Sequence, residues 1–246
     1  MKTRILLALL AISLTSLADE SIPKTKLIAG WGAAIDPVGD CKFETTDGKL
    51  KITVPSTAKP HDLSPELASS TAPRVVQPVK GDFVIQVRVD GEFQPGEEST
   101  QVGRAAYTGA GLVVFADQRN FVRFERATLH RQEDEARPYT NFEIRVDGEL
   151  ERMGAIGDLP TEKDKPTWFR LERKGQQLLG AMSHDGEHWT KGEPKELRAE
   201  AWTRNDIVAG VAAISTSTSQ KPFVPTFSAF SVQQGAKPKT EDIEAK

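Results

Sequence analysis

Residues 109–126 constrain this chain more than any other stretch. Two runs of β-branched and aromatic residues, 112–116 and 121–126, flank the polar tetrapeptide Asp117-Gln118-Arg119-Asn120. Such residues pack on a pleated surface, and turn formers between two of these runs predict a β-hairpin. Side chains alternate between faces along a strand. Val122 and Phe124 therefore share one face, and Phe121, Arg123 and Glu125 share the other.

The same two-residue period recurs along the chain. Leu50, Ile52 and Val54 alternate with Lys49, Lys51 and Thr53, and Phe83, Ile85, Val87 and Val89 alternate with Gln86 and Arg88. Phe142, Ile144 and Val146 alternate with Glu143 and Arg145. Residues 168–173 repeat the aromatic–Arg–Glu pattern and are expected to pair with residues 177–182 through Lys174-Gly175. Asp185-Gly186 reads as a two-residue hairpin turn, with Trp189 packed beneath it. The small residues Ala209, Gly210, Ala212 and Ala213 lie in a strand over 207–215, where glycine marks a close approach of backbones. The last strand falls within 223–232, with Phe227 and Phe230 as core candidates. Residues 55–73, 93–108 and 128–139 read as loops. No helix is expected. Short strands with turn signals throughout predict an all-β fold, an antiparallel two-sheet jelly-roll sandwich.

The N-terminus carries a secretory signal. Lys2 and Arg4 precede an apolar run, 5–12, and Ser16-Leu17-Ala18 offers the small residues of a cleavage site after Ala18. The run is too short to span a bilayer, which takes about 20 residues. The expected organisation is a signal peptide over 1–18, one sandwich domain over 19–233 and a charged, disordered tail over 234–246. The protein is expected to be exported, periplasmic or extracellular, with no membrane insertion after cleavage. Losing Lys2 and Arg4 moves the formal charge from −3 to −5. With no basic block, nucleic acid is a poor partner. Cys41 is the only cysteine, so an intrachain disulfide is impossible. A buried thiol is the expected state, since none of the four histidines stands in a cysteine-hydrolase context.

With these elements in order, the chain resembles the exported bacterial domains of unknown function that have a concanavalin A-like jelly roll. The matching features are Trp31 with Asp36-Pro37 and Gly39-Asp40, the string from Asn120 to Arg126, and Trp168-Phe169-Arg170-Leu171. Ser183-x-Asp185-Gly186-x-x-Trp189 and Phe227-x-x-Phe230 complete them. The resemblance covers most of residues 27–233. It implies a concanavalin A-like sandwich of the lectin and glucanase kind, and hence a glycan or polysaccharide as the partner.

Arg123 and Glu125 share a strand face roughly 7 Å apart, where they can bond sugar hydroxyls beside a stacking ring from Phe121. The plainer alternative is an ion pair on an exposed sheet. Arg104 and Tyr107 can reach the rim of the same face. Glu143 and Arg145 repeat the charged pattern, and a solvated face explains them equally well. His61 and Asp62 are further ligand candidates, although a turn or cap accounts for Asp62. No cofactor is implied. Asp36 and Asp40 supply oxygens suited to calcium, but Val38 between them offers none, and no metal ligands are assigned.

Three functions compete. The first is a non-catalytic carbohydrate-binding protein. The second is a glycoside hydrolase on the same fold, disfavoured because the Glu-x-Asp-x-Glu strand of the glucanases that this fold resembles is missing and Glu133-Asp134-Glu135 would scatter its side chains. The third is an envelope structural or adhesion protein, with a flat sheet in place of a groove.

Overall fold

Runs with a two-residue period become strands. The computed structural model describes residues 26–131, 134–152, 161–162, 165–204 and 206–235. The expected signal segment lies outside the described residues, as does the expected tail beyond Gly235. The first strands are β1 (Lys26–Ile28), β2 (Gly32–Ile35), β3 (Lys42–Thr46), β4 (Lys49–Thr53), β5 (Leu63–Ser64) and β6 (Ser69–Ser70). The middle of the chain forms β7 (Arg74–Pro78), β8 (Phe83–Asp90), β9 (Ala106–Phe115), β10 (Phe121–His130), β11 (Arg137–Val146) and β12 (Glu149–Arg152). The last are β13 (Thr167–Lys174), β14 (Gln177–Ser183), β15 (Thr190–Lys191), β16 (Lys195–Glu196), β17 (Val208–Ser215) and β18 (Thr226–Gln234). Helix among the described residues is confined to 3-10 turns at Pro65–Leu67 and Glu200–Thr203.

Two antiparallel sheets stack as a jelly-roll sandwich. One runs β1-β2-β7-β17-β9-β10-β11-β12, and the other β15-β14-β13-β8-β18-β4-β3 with β16 beside β14. Apolar faces meet between them. Phe124 of β10 stacks on Phe142 of β11 at 4.2 Å and meets Phe169 of β13 edge-on at 4.7 Å, so three rings tie the sheets together. Gly180 of β14 makes room for them, because any Cβ there would collide with the Phe142 ring. Gly210 serves the expected close approach, its Cα facing the β7 backbone at Val75.

The expected hairpin forms, with Phe115 opposite Phe121, and its strands extend well beyond the expected runs. Residues 106–108 belong to β9 and 128–130 to β10, so both flanking loops are shorter than expected. The type of turn differs from expectation in one place. Asp185-Gly186 is not a two-residue turn, since β14 and β15 pair Met182 with Thr190 around a longer loop. Trp168, not Trp189, packs beneath Gly186, and Trp189 lies under the Arg170 guanidinium at 4.1 Å. Two-residue turns occur instead at Asp47-Gly48 and Asp147-Gly148, joining β3 to β4 and β11 to β12. Both residues of each have positive φ, as the turn that matches strand twist requires.

The outer face of the first sheet is not a solvent face. All of β9 and the first eight residues of β10 are buried on both sides. The segment with β5, β6 and the Pro65–Leu67 turn folds across this face, and Leu63 and Ala72 join Val113, Phe115, Phe121 and Ile214 in a second apolar cluster.

Candidate functional site

On β10 the outward positions are Phe121, Arg123 and Glu125. On β11 the matching outward positions are Tyr139, Asn141, Glu143 and Arg145. The register sets Arg123 opposite Glu143 and Glu125 opposite Asn141. Non-local pairing thus places four polar side chains in a square at the centre of a covered sheet.

Glu143 takes charge-assisted bonds on both oxygens. Arg123 Nε and Nη2 donate to Oε2 at 2.9 and 2.6 Å, and Arg145 Nε donates to Oε1 at 2.5 Å. Burial favours the protonated acid, but the two guanidiniums outweigh it and hold Glu143 below its ordinary value. Glu125 behaves oppositely. Burial raises it, against the pull of Arg123 and the hydrogen bonds from Tyr107 Oη at 2.6 Å and Asn141 Nδ2 at 3.0 Å.

Two glycines shape the floor. Gly111 lies opposite Glu125, and a methyl group there would collide with the β10 backbone at Phe124. A Cβ at Gly109 would sit 2.8 Å from the Tyr107 ring and 2.9 Å from Glu125 Oε2. The bareness of Gly109 lets the Tyr107 ring lie along its own strand and reach Glu125. Burial, then Glu125, drives the Tyr107 hydroxyl well above its ordinary value, so it remains a donor.

This floor opens into a cavity of about 960 Å³. Asp62, Gln101, Arg104 and Tyr139 are among the residues on its walls. Asp62 Oδ2 accepts from Gln101 Nε2 at 2.9 Å. Arg145 and Arg104 both hold Glu66, at 3.1 Å in each case. Arg123 Nη1 is buried without a hydrogen-bond partner and stands 4.0 Å from Asp62 Oδ1.

Of the residues expected from sequence, Arg104, Tyr107, Arg123, Asp62 and Glu143 line the cavity, while Glu125 supports it through Tyr107 and Asn141. Two are corrected. Phe121 is buried in the second apolar cluster, 5.2 Å from Phe115, because the covering segment claims that end of the face; it is no stacking platform. His61 turns away from the cavity and pairs with Asp40 at 2.8 Å. The exposed-face alternative also fails, since Arg123, Glu125, Glu143 and Arg145 are all buried. Asp62 also serves the local backbone, because Oδ1 accepts from its neighbour Leu63 N.

Tyr139, Asn141, Gln101 and Glu66 are not anticipated from sequence. Tyr139 and Asn141 continue the outward parity of Glu143 and Arg145, a signal masked by Arg137-Pro138, which reads as loop. Half-buried Tyr139, its hydroxyl pushed up to about 12 by burial, offers the cavity an aromatic surface in place of Phe121.

Asp36 spends its oxygens on the backbone amides of Gly39 and Cys41, and Asp40 faces His61. Cys41 is half-buried, and burial with two neighbouring acids pushes its thiol up, contrary to what a nucleophile needs.

No protein-family model and no curated protein matches the chain. Solved structures do match it in fold. A functionally unknown protein from Saccharomyces cerevisiae aligns with a TM-score of 0.55 at 15% identity, over 84% of this chain and 97% of its own. A xylan β-1,4-xylosidase from Bacillus halodurans C-125 aligns at 0.52 with 14% identity, over 79% of this chain and 34% of the enzyme. A bifunctional GH43-CE protein of Bacteroides eggerthii aligns at 0.53 with 12% identity, over 80% of this chain and 22% of its own. The alignment thus spans only about a third of the xylosidase and less of the GH43-CE protein, and identities this low speak for the sandwich alone.

Proposed function

We propose that this chain is an exported, non-catalytic saccharide-binding protein with a concanavalin A-like sandwich, which holds a glycan in the cavity over β9, β10 and β11. One observation carries the reading: Arg104, Arg123, Asp62, Glu143 and Asn141 converge with Tyr107 and Tyr139 on one cavity of about 960 Å³. Sugar hydroxyls donate and accept at once, so they suit a wall that alternates guanidiniums, carboxylates and a carboxamide. Tyr139 offers the apolar face of a sugar ring a flat partner. The signal sequence at residues 1–18 supports export to where glycans are met.

Binding is favoured over cleavage because both acids on the floor are occupied. Glu143 has a guanidinium on each oxygen, and Glu125 lies beneath Tyr107, with Oε1 taken by Tyr107 and Asn141. A glycosidase needs one carboxyl free to give a proton and another free to attack or to activate water.

The test is a glycan-array screen of the purified protein beside Arg104→Ala and Gln101→Ala, two changes on the cavity wall outside the buried square. Xylan belongs on the array, since one protein of like fold is named for it. Binding to one glycan class that both variants weaken supports the reading. Absence of binding by the folded protein moves it to a structural role. Release of reducing sugar by the wild type and not by Glu125→Gln replaces it with hydrolysis.

A further inference from the structure

Asp40, Cys41 and His61 lie outside the cavity floor and play no part in the saccharide reading. We propose that they form a site for a divalent transition ion, with zinc as its representative. Asp40 Oδ1, Cys41 Sγ and His61 Nε2 lie within 4.8 Å of one another. Asp40 Oδ1 is 2.8 Å from His61 Nε2 and 3.5 Å from Cys41 Sγ. Zinc binds carboxylate oxygen, imidazole nitrogen and thiolate sulfur at about 2.0–2.3 Å, so tetrahedral ligands stand roughly 3.3–3.7 Å apart. Closing three atoms onto an ion therefore asks for side-chain shifts of well under a bond length between two of the pairs. The mixed nitrogen, sulfur and oxygen set suits a borderline ion and does not suit calcium, which prefers oxygen alone.

Both halves of the site are held by contacts that need no metal. His61 exchanges two backbone hydrogen bonds with Ser215, each 2.9 Å. The turn bearing Asp40 and Cys41 is fastened by Asp36, which accepts from Gly39 N at 3.0 Å and Cys41 N at 2.8 Å. The imidazole is buried while the Asp40 side chain keeps 24% of its surface, which leaves an approach from solvent and a fourth position for water. Asp36 and Asp40 make the surroundings of the thiol acidic, and the Lys59 cation acts on Asp40. The order of contacts argues against a nucleophilic triad. The carboxylate, not the imidazole, stands between the other two, so the imidazole is not placed to take the thiol proton.

An ion here would join two segments that are 21 positions apart at Asp40 and His61. It would do so in a chain whose single cysteine cannot form an intrachain disulfide. It would also pin His61 beside Asp62, and so brace one wall of the cavity.

The test uses cobalt as a spectroscopic probe, with zinc as competitor, on chelator-stripped protein. The wild type should take up one equivalent of cobalt, with a thiolate-to-metal band in the near ultraviolet that zinc abolishes. Cys41→Ser should lose that band. Asp40→Asn keeps a hydrogen-bonding group toward His61 and should weaken the metal by at least about tenfold, the smallest effect typical even of outer partners. Metal-free melting shows which variants are folded, and Asp40→Asn carries the test if Cys41→Ser is not. Absence of the band in the wild type, or metal affinity unchanged in a folded Asp40→Asn, would overturn the proposal and leave a hydrogen-bonded trio that only secures the turn.

Discussion

Arg123 and Glu143 stand opposite each other in the β10–β11 ladder, and two nitrogens of the arginine donate to one oxygen of the glutamate at 2.9 and 2.6 Å. Arg145 holds the second oxygen, so one carboxylate bridges two buried guanidiniums. Removing one member of a buried pair strands the other charge. Glu143→Gln should cost about 3–5 kcal/mol, measured by urea unfolding near neutral pH. A loss under about 1 kcal/mol would mean that solvent reaches these guanidiniums.

Glu125 and Glu143 should give opposite pH dependences. The folded-state value of Glu125 is raised, so its contribution is full below its ordinary 4.5 and is lost as pH rises through the raised value. That of Glu143 is lowered, so its contribution is full above 4.5 and is lost as pH falls through the lowered value. Glu125→Gln mimics the protonated acid and can still accept from Tyr107. Its stability relative to wild type should therefore improve as pH rises above 4.5, while that of Glu143→Gln should worsen as pH rises toward 4.5 and then level off. Parallel stability curves for wild type and either variant would refute the assignment for that residue.

The two glycines of β9 should separate folding from recognition. Gly111→Ala forces a methyl group against the β10 backbone and should destabilise by about 1–3 kcal/mol or more. Gly109→Ala meets the far end of Tyr107, which can swing away. It should cost less in thermal melting yet weaken glycan binding, because the Tyr107–Glu125 bond is lost. Equal costs in melting would count against this division.

Phe121→Ala should destabilise by about 3–5 kcal/mol without altering the glycan affinity of the folded fraction, because the ring packs on Phe115 and lines no wall. Tyr139→Ala should do the reverse, losing affinity with a smaller change in stability. An array comparison of the two variants decides which aromatic serves the cavity.

Much of the sandwich is legible in the chain because alternation is a local property. Val122 and Phe124 against Arg123 and Glu125 can be read from neighbouring residues, and both pairs take the expected faces. The Asp47-Gly48 and Asp147-Gly148 turns are equally local and carry the same dipeptide as Asp185-Gly186. Only the last is opened into a longer loop, through the packing of Gly186 over Trp168 and the pairing of Met182 with Thr190. The start of β11 is obscured by Arg137-Pro138, and with it Tyr139 and Asn141.

The amino-acid order by itself determined which segments are strands, which side chains share a face and that two apolar faces must meet. Beyond the local hairpins β9–β10 and β13–β14, tertiary structure decided which strand lies beside which. Arg123 and Glu125 are two residues apart on one strand, yet the main partner of Arg123 is Glu143, supplied by the neighbouring ladder, because directly opposed positions lie closer than successive outward ones. Tertiary structure also decided the surroundings of these charges. The covering segment shields these charges from bulk water, so groups that on a bare sheet would be separately hydrated must satisfy one another, as Arg123, Arg145 and Glu143 do.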